Sequence, residues 1–371
     1  MTYNHAMARD YFVVDAFTSE AFAGNAAGVV LNAEGLDEAA MQAVAAEFNL
    51  SETTFVLPAS ESSNPKLQND DVAAGPANRK TDHRDAALDG EIAPGGVTGP
   101  ELLRGAGIGE CHAERREASG RAFGEIPRSA RNDDVRPFPP RVVPVRFRWF
   151  TPTTEVTMCG HATVAGVQAM LEAGRLGIPD DRPSVSLTIE TLGGVLTAFV
   201  ERMPGGGGPM IWLDLVDPVL TPCGIDLAAL SAALRLSSDA FDVSLLPVQS
   251  QDGDAIVFVR DVITLNDARP DFEALRSTLE RAGLRGLSLA TVNTLTPSVN
   301  VQSRFFAPPA GVDEDPVTGS VHGPLAARLV QQGVVPVQDG LAALTCVQGQ
   351  AGGRAGLLYA LVQPKGDNRW G

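Results

Sequence analysis

The sequence predicts an α+β fold built as two structurally related halves. Three observations carry this expectation. At 371 residues the chain is too long for one ordinary hydrophobic core. Short β-branched and aromatic runs alternate with apolar residues at helical spacing. Most specific is an internal duplication: RFRWFTPTTEVTMCGHATVAGVQAMLEAG, ending at Gly174, parallels VQSRFFAPPAGVDEDPVTGSVHGPLAARLVQQG, ending at Gly333. Each copy has a basic residue near an aromatic pair (Trp149-Phe150, Phe305-Phe306), then an X-Pro step (Pro152, Pro308) and a loop with acidic residues. Each loop closes on a glycine, Gly160 or Gly319, that opens an alanine-rich helix. The next helix-ending glycine comes fourteen positions on in both, from 160 to 174 and from 319 to 333.

In chain order, YFVVDAFTSEAFAGNAAGVVLN reads as a strand, a turn at 22–25 and a second strand. Residues 36–50 place Met41, Val44, Ala45 and Phe48 at helical spacing, with Asp37 and Glu38 in the first turn. SETTFVLP is a β-branched strand. From 59 to 140 the chain is rich in Pro, Gly, Asp and Arg without sustained period, which predicts a disordered, solvated insertion. RVVPVRFRWFTP restores order as a strand, a helix follows, and SLTIETLGGVLTAFVE reads as two strands joined at Gly193–Gly194. GGGG at 205–208 lacks a following Lys-Ser/Thr and reads as a flexible turn, not a phosphate loop. MIWLDLVDPVL reads as one strand, and the chain passes near Asp217 into a second unit. That unit is expected to hold strands at 243–249 and 255–259 and a helix over 271–282. The domains expected are 1–216 and 217–371, the last strand returning to the first.

Composition excludes several functions. The net charge of −16 argues against nucleic acid, whose phosphates need a Lys/Arg-rich face, and against anionic membrane surfaces. MTYNHAMARD lacks the apolar core of a signal peptide, and no run approaches a membrane span. Cys111, Cys159, Cys223 and Cys346 are scattered, which predicts reduced thiols in a cytoplasm and gives a metal site little support.

The duplicated turns carry the chemistry. A glycine at a helix entry leaves the first amides unbonded, and the helix dipole adds partial positive charge there, so such an end attracts a carboxylate without a lysine. Pro324 is expected near the start of its helix. If the halves face each other, two helix tips converge on one cleft, lined by His161 and Asp315 from opposite sides, while His322 is expected to face outward. A base comes from NLSETTFV: Glu52 follows a helix end directly, and a half-buried carboxylate there is raised toward general-base range. Taken alone, such a glutamate is more often a cap or solvated.

In this order VDAFTSEAFAGNAAGVVL, NLSETTFV, WFTPTTEVTMCGHATVAG and FFAPPAGVDEDPVTGSVHGPLAARL resemble the PhzF (phenazine biosynthesis-like) family, which shares the diaminopimelate epimerase fold. The likeness runs from about residue 11 to the C-terminus, interrupted by 59–140. It implies two pseudo-symmetric α+β domains, each an antiparallel barrel-like sheet around a central helix, with the site between them. It further implies homodimers, no cofactor and no metal, and a proton-transfer isomerisation of the kind that acts on dihydro-hydroxyanthranilate. By motif position Glu52 resembles the catalytic acid/base, and His161 and Asp315 the polar groups that help move protons. Gly160, Gly319 and Ser320 resemble the carboxylate cradle. The related epimerases use two opposed cysteines; here Cys159 stands at the first position and Thr318 at the second, a hydroxyl too weakly acidic to exchange an α-proton. Asn25-Ala26 departs from the family's usual Asn-Pro. The expected activity is therefore a cofactor-independent isomerase of a small carboxylic acid. The alternatives are a carboxylate-binding or interaction protein with the same cleft, or an epimerase.

Overall fold

The computed structural model describes residues 9–59, 102–104, 142–180, 182–203, 208–350, 353–366 and 369–371. Its local structure follows from short-range chemistry. Asp37 caps the helix Glu38–Phe48 by accepting from the Ala40 amide at 2.8 Å, and Asn49 ends it in the left-handed conformation. Asp226, Asp261 and Asp271 cap three further helices in the same way.

The strands form two large curled sheets. Across the first run Leu102–Arg104, Tyr11–Ala16, Asn25–Val30, Glu52–Pro58, Val142–Phe150, Ser184–Thr191, Gly194–Glu201 and Met210–Asp214, with Glu155–Val156 hooked onto Val142–Phe150. Across the second run Leu220–Pro222, Val248–Ser250, Asp254–Phe258, Gly286–Thr291, Val301–Ala307, Ala342–Gln348 and Gly356–Val362, with Val312–Asp315 hooked onto Val301–Ala307. Starting from Asn25–Val30 and from Asp254–Phe258, both sheets repeat one sequence of pairings: parallel, antiparallel, parallel, antiparallel. A helix spans each parallel step, as a same-sense return requires. The duplication seen in two segments thus extends through both lobes, and the sheets include parallel neighbours within their largely antiparallel order.

Each sheet curls around one helix, Gly160–Glu172 in the first lobe and Gly319–Gln331 in the second. Phe147, Trp149, Val167, Met170 and Leu187 make the first inner core; Phe258, Leu325, Leu329 and Leu344 belong to the second. Gly166 lets its helix lie so close to the sheet that a Cβ there would meet the Phe147 ring at 2.7 Å. Both helices have thirteen residues and end at a glycine with φ near +67°, Gly174 and Gly333.

A paired arginine–glutamate clamp also repeats. Arg148 holds Glu155 through two hydrogen bonds of 2.6 and 2.7 Å and lies 5.1 Å from the Phe150 ring centre. Arg304 holds Glu314 through two of 2.8 Å and lies 4.9 Å from that of Phe306. Each clamp pins a hooked strand, and so the turn that enters a central helix. Glu314 therefore serves the clamp, and its neighbour Asp315 is left for the cleft.

The lobes are stitched by backbone. Leu357 donates to the Phe17 carbonyl at 2.8 Å and Gly24 to that of Ala355 at 2.9 Å. Arg354 ties in the same loop through Asp15 and the carbonyls of Ala23 and Gly24.

Four expectations need correction. MIWLDLVDPVL holds two strands in different sheets, Met210–Asp214 and Leu220–Pro222, because Val216 and Val219 are exposed and Pro218 breaks the run. The strand expected at 243–249 is only Val248–Ser250, since Asp242 folds the preceding residues into a turn through Ser244. Pro324 lies inside its helix, past the first turn, so the Ser320 carbonyl receives no amide from it. His322 is buried, not outward-facing. The insertion expected at 59–140 lies outside the described residues except for residue 59 and Leu102–Arg104, which pairs with Tyr11–Ala16; the glycine turn expected at 205–208 lies outside them but for Gly208. Among the described residues no helix is long and apolar enough to cross a membrane, and Cys159, Cys223 and Cys346 are free thiols.

The clamps differ in burial. Arg304 is nearly inaccessible and also donates to the carbonyls of Leu265 and Ala268, at 3.3 and 2.8 Å, whereas Arg148 reaches out to the exposed Glu38. Removing Arg304 strands buried acceptors. Arg304→Met is expected to cost about 3–5 kcal/mol and Arg148→Met about 1–3 kcal/mol. Urea unfolding of both variants measures the difference; equal losses would show that the two clamps do equivalent work.

Candidate active site

The two central helices meet tip to tip. A Cβ placed on Gly160 would stand 3.8 Å from the Gly319 Cα and 3.9 Å from the Ser320 nitrogen. Neither N-cap residue, Cys159 or Thr318, gives a side-chain bond to its helix. The first-turn amides around Gly160, Gly319 and half-buried Ser320 thus carry the positive ends of two dipoles into one small region.

Glu52 stands beside them. The helix Glu38–Phe48 stops at Asn49, and the strand begins at Glu52, in parallel register with Ala27. That places the carboxylate at the end of the first sheet, beside the helix tip. Its Oε2 lies 3.1 Å from His161 Nε2, an ion-pair distance, and both atoms are buried. The other ring nitrogen of His161, Nδ1, is 3.5 Å from the Cys159 sulfur. Burial drives His161 toward its neutral form, but Cys159 and Glu52 outweigh this and hold its pKa well above the ordinary imidazole value. Burial pushes the Cys159 thiol up, against the pull of His161. One donor atom from each of Glu52, Cys159 and His161 can be chosen so that all three lie within 4.8 Å of one another.

Asp315 enters from the second lobe. Asn25, on the first sheet, donates to its Oδ1 at 2.8 Å and to the Val317 carbonyl at 2.9 Å, a bond across the two lobes. Thr318 donates to its Oδ2. Fully buried Gln348 closes the network: its amide nitrogen donates to the Asp315 carbonyl at 2.8 Å and to the Thr318 hydroxyl at 3.0 Å, and its oxygen accepts from the Thr318 amide. With the hydroxyl oxygen occupied by Gln348, its proton is directed at Asp315. Burial raises the Asp315 pKa, while the nearby His161 charge opposes the rise.

The structure therefore brings together Glu52, His161, Asp315, Gly160, Gly319 and Ser320. Sequence reasoning missed Asn25 and Gln348 as the groups that fix Asp315. Gln348 carried one weak signal, a lone amide at the end of the apolar strand AALTCVQ. The two halves contribute unequally. Thr53 pairs with Phe150 and Leu287 with the matching Phe306, so the counterpart of Glu52 is Gly286. Cys159 and His161 correspond to Thr318 and Ser320.

The family model described as "Phenazine biosynthesis-like protein" (PhzC-PhzF) matches residues 14–68 and 137–370, and so skips 69–136. An Escherichia coli K12 protein named uncharacterized isomerase YddE is 27% identical over 355 residues, 94% of this chain and 88% of its own. An uncharacterized isomerase of Deinococcus radiodurans is 32% identical over 228 residues, 60% of this chain and 70% of its own. Among solved structures, a Bacillus anthracis phenazine biosynthesis protein of the PhzF family superposes with a TM-score of 0.68 at 24% identity, covering 98% of this chain and 93% of that one. A predicted epimerase of Pseudomonas aeruginosa, PA4716, superposes at 0.59 with 20% identity, covering 98% and 94%.

His322 is a histidine of another kind. Its Nδ1 donates to the Thr318 carbonyl at 2.8 Å and its Nε2 faces the Ser303 hydroxyl at 3.4 Å, which suits the neutral ring. Burial lowers its pKa to about 4. The unfolded chain binds this proton below an ordinary pKa near 6.5, so the stability it contributes is present above that pH and is lost as pH falls toward 4. The loss should approach about 3 kcal/mol. Melting temperatures recorded from pH 7 to pH 4 should fall more steeply for wild type than for His322→Asn; parallel curves would contradict the assignment.

Proposed function

Since the chain belongs to the phenazine biosynthesis-like (PhzC-PhzF) family, we propose that it is an isomerase moving a proton between positions of a small carboxylic acid, with Glu52 as the acid/base and no cofactor. One observation carries the reading: Glu52 Oε2 and His161 Nε2 stand buried, 3.1 Å apart, next to the meeting point of two uncapped helix ends.

The substrate carboxylate takes the amides at Gly160, Gly319 and Ser320, where two dipoles favour an anion. Glu52 then removes a proton from an adjacent acidic C–H. The electron pair left behind moves into the conjugated system and toward the carboxylate, where the helix-end amides stabilise it. His161, whose pKa its neighbours hold well above the ordinary imidazole value, balances the charge that develops. Glu52 returns the proton at a second carbon. Asp315, oriented from both lobes by Asn25 and Thr318, binds a polar group of the substrate. Gly286 is the counterpart of Glu52 in the second lobe, so the pseudo-symmetry does not duplicate this base.

General-base catalysis contributes about 10²–10⁴-fold to rate. Glu52→Gln is therefore expected to lower turnover by that factor. Wild-type protein incubated in deuterium oxide with a library of small carboxylic acids should exchange C–H positions visible by NMR, and the variant should not. Exchange persisting at the wild-type rate in Glu52→Gln would remove Glu52 from the mechanism.

A further inference from the structure

Glu52, Cys159 and His161 form a donor set that acid/base chemistry alone does not need. A carboxylate, a thiol and an imidazole reach one point from two elements, the strand start at Glu52 and the helix tip at 159–161. Their ligand atoms lie within 4.8 Å of one another, with the sulfur 3.5 Å from His161 Nδ1. His161 is only 6% exposed, and its Nε2 meets no group other than Glu52 Oε2, 3.1 Å away. The imidazole thus has the carboxylate at one nitrogen and the sulfur at the other, and one atom from each of the three residues is close enough to the others for a single ion to meet all three.

We infer that these three residues form a binding site for a borderline-soft divalent cation of the zinc type, and that its occupancy switches off the acid/base group. Zinc takes sulfur at about 2.3 Å and imidazole nitrogen or carboxylate oxygen at about 2.0–2.2 Å, in a tetrahedron. Ligand atoms in such a tetrahedron stand about 3.3–3.7 Å apart, so the set closes with side-chain shifts of about 1 Å. A single nitrogen of His161 enters the set. A thiolate and a carboxylate cancel the charge of the ion, which offsets the unfavourable positive end of the helix. Three protein ligands leave the fourth position to water or an anion. The sulfur excludes magnesium and calcium, which take oxygen ligands. The second lobe cannot build the same set, because Thr318, Ser320 and Gly286 stand at the matching positions.

A metal on Glu52 occupies the lone pair that a base must offer, so zinc is expected to act as a reversible inhibitor. The site itself does not rest on the isomerase reading, and its test has a readout independent of turnover. Wild-type protein is titrated with Zn²⁺ by calorimetry and with Co²⁺ by absorption. One equivalent should bind, and Co²⁺ should give a thiolate-to-metal charge-transfer band together with visible bands of tetrahedral geometry. Cys159→Ala should lose the charge-transfer band and bind Zn²⁺ at least tenfold more weakly, and His161→Gln should bind at least tenfold more weakly too. Folding of both variants is checked by circular dichroism, and Glu52→Gln gives a third arm if either unfolds. Proton exchange, once a substrate is found, should be inhibited by Zn²⁺ and restored by a chelator. The inference is overturned if wild type binds less than one equivalent, or if Cys159→Ala binds Zn²⁺ as tightly with an unchanged Co²⁺ spectrum.

Discussion

The contact between Gly160 and Gly319 is the constraint on which the rest of the site depends. Two helix N-termini that approach this closely bring like partial charges together, which is unfavourable unless something negative lies near. Here Glu52 and Asp315 flank the contact from opposite lobes. The arrangement is expensive to hold, and the fold holds it twice over. Each helix is packed into its own sheet, and each entry turn is pinned by an arginine–glutamate clamp. Backbone bonds from Phe17 and Gly24 to the second lobe then fix one lobe against the other.

On this symmetric frame the chemistry is one-sided. Strand pairing, helix length and clamps repeat between lobes, but the residues facing the contact do not. The first lobe offers Glu52, Cys159 and His161, and the second offers Asp315, Thr318 and Ser320. The division follows from what each side chain can do when buried. A carboxylate beside an imidazole can trade protons. A carboxylate whose two oxygens accept from Asn25 and Thr318 is held still and suits recognition. The frame brings the two together and lets each stay specialised.

Much of this was legible in the residues, and what was not has a physical reason. Gly160 and Gly319 with their matched helix-ending glycines announced two equivalent helices, because positive φ after a helix is a local requirement. Glu52 was visible only through its context, since a junction glutamate has no signature of its own. The clamps left a trace in the basic residue beside each aromatic pair, but Glu155 lies seven residues beyond Arg148 and Glu314 ten beyond Arg304, so spacing could not match them. Neither Gln348 nor Asn25 could be matched to Asp315 by spacing: they reach it from 33 and 290 positions away, and only the curl of two sheets brings them in. The Glu52–Cys159–His161 donor set was hidden for the same reason, because metal spacing rules count along one segment while these donors sit on two.

The frame also explains how a chain can carry a long extra segment in its first lobe without remodelling the site. Glu52–Pro58 and Val142–Phe150 pair antiparallel, with Thr53 opposite Phe150 at one end and Pro58 opposite Val145 at the other. Glu52 lies at the first end; the chain leaves and re-enters at the second. Six steps of a strand separate them by about 20 Å. The family match skips 69–136, so the segment is additional to the shared architecture. Closing a longer loop across one strand pair costs only about 0.6 kcal/mol for each doubling of length. Six residue pairs hold the two strands together from Thr53 to Pro58, so the position of Glu52 is set by the paired residue after it and by its parallel register with Ala27. An insertion at the near end, between Phe150 and Gly160, would meet no such tolerance. There the Arg148–Glu155 clamp and the entry turn fix His161 within reach of Glu52, and lengthening that turn would separate the two groups the site is built around.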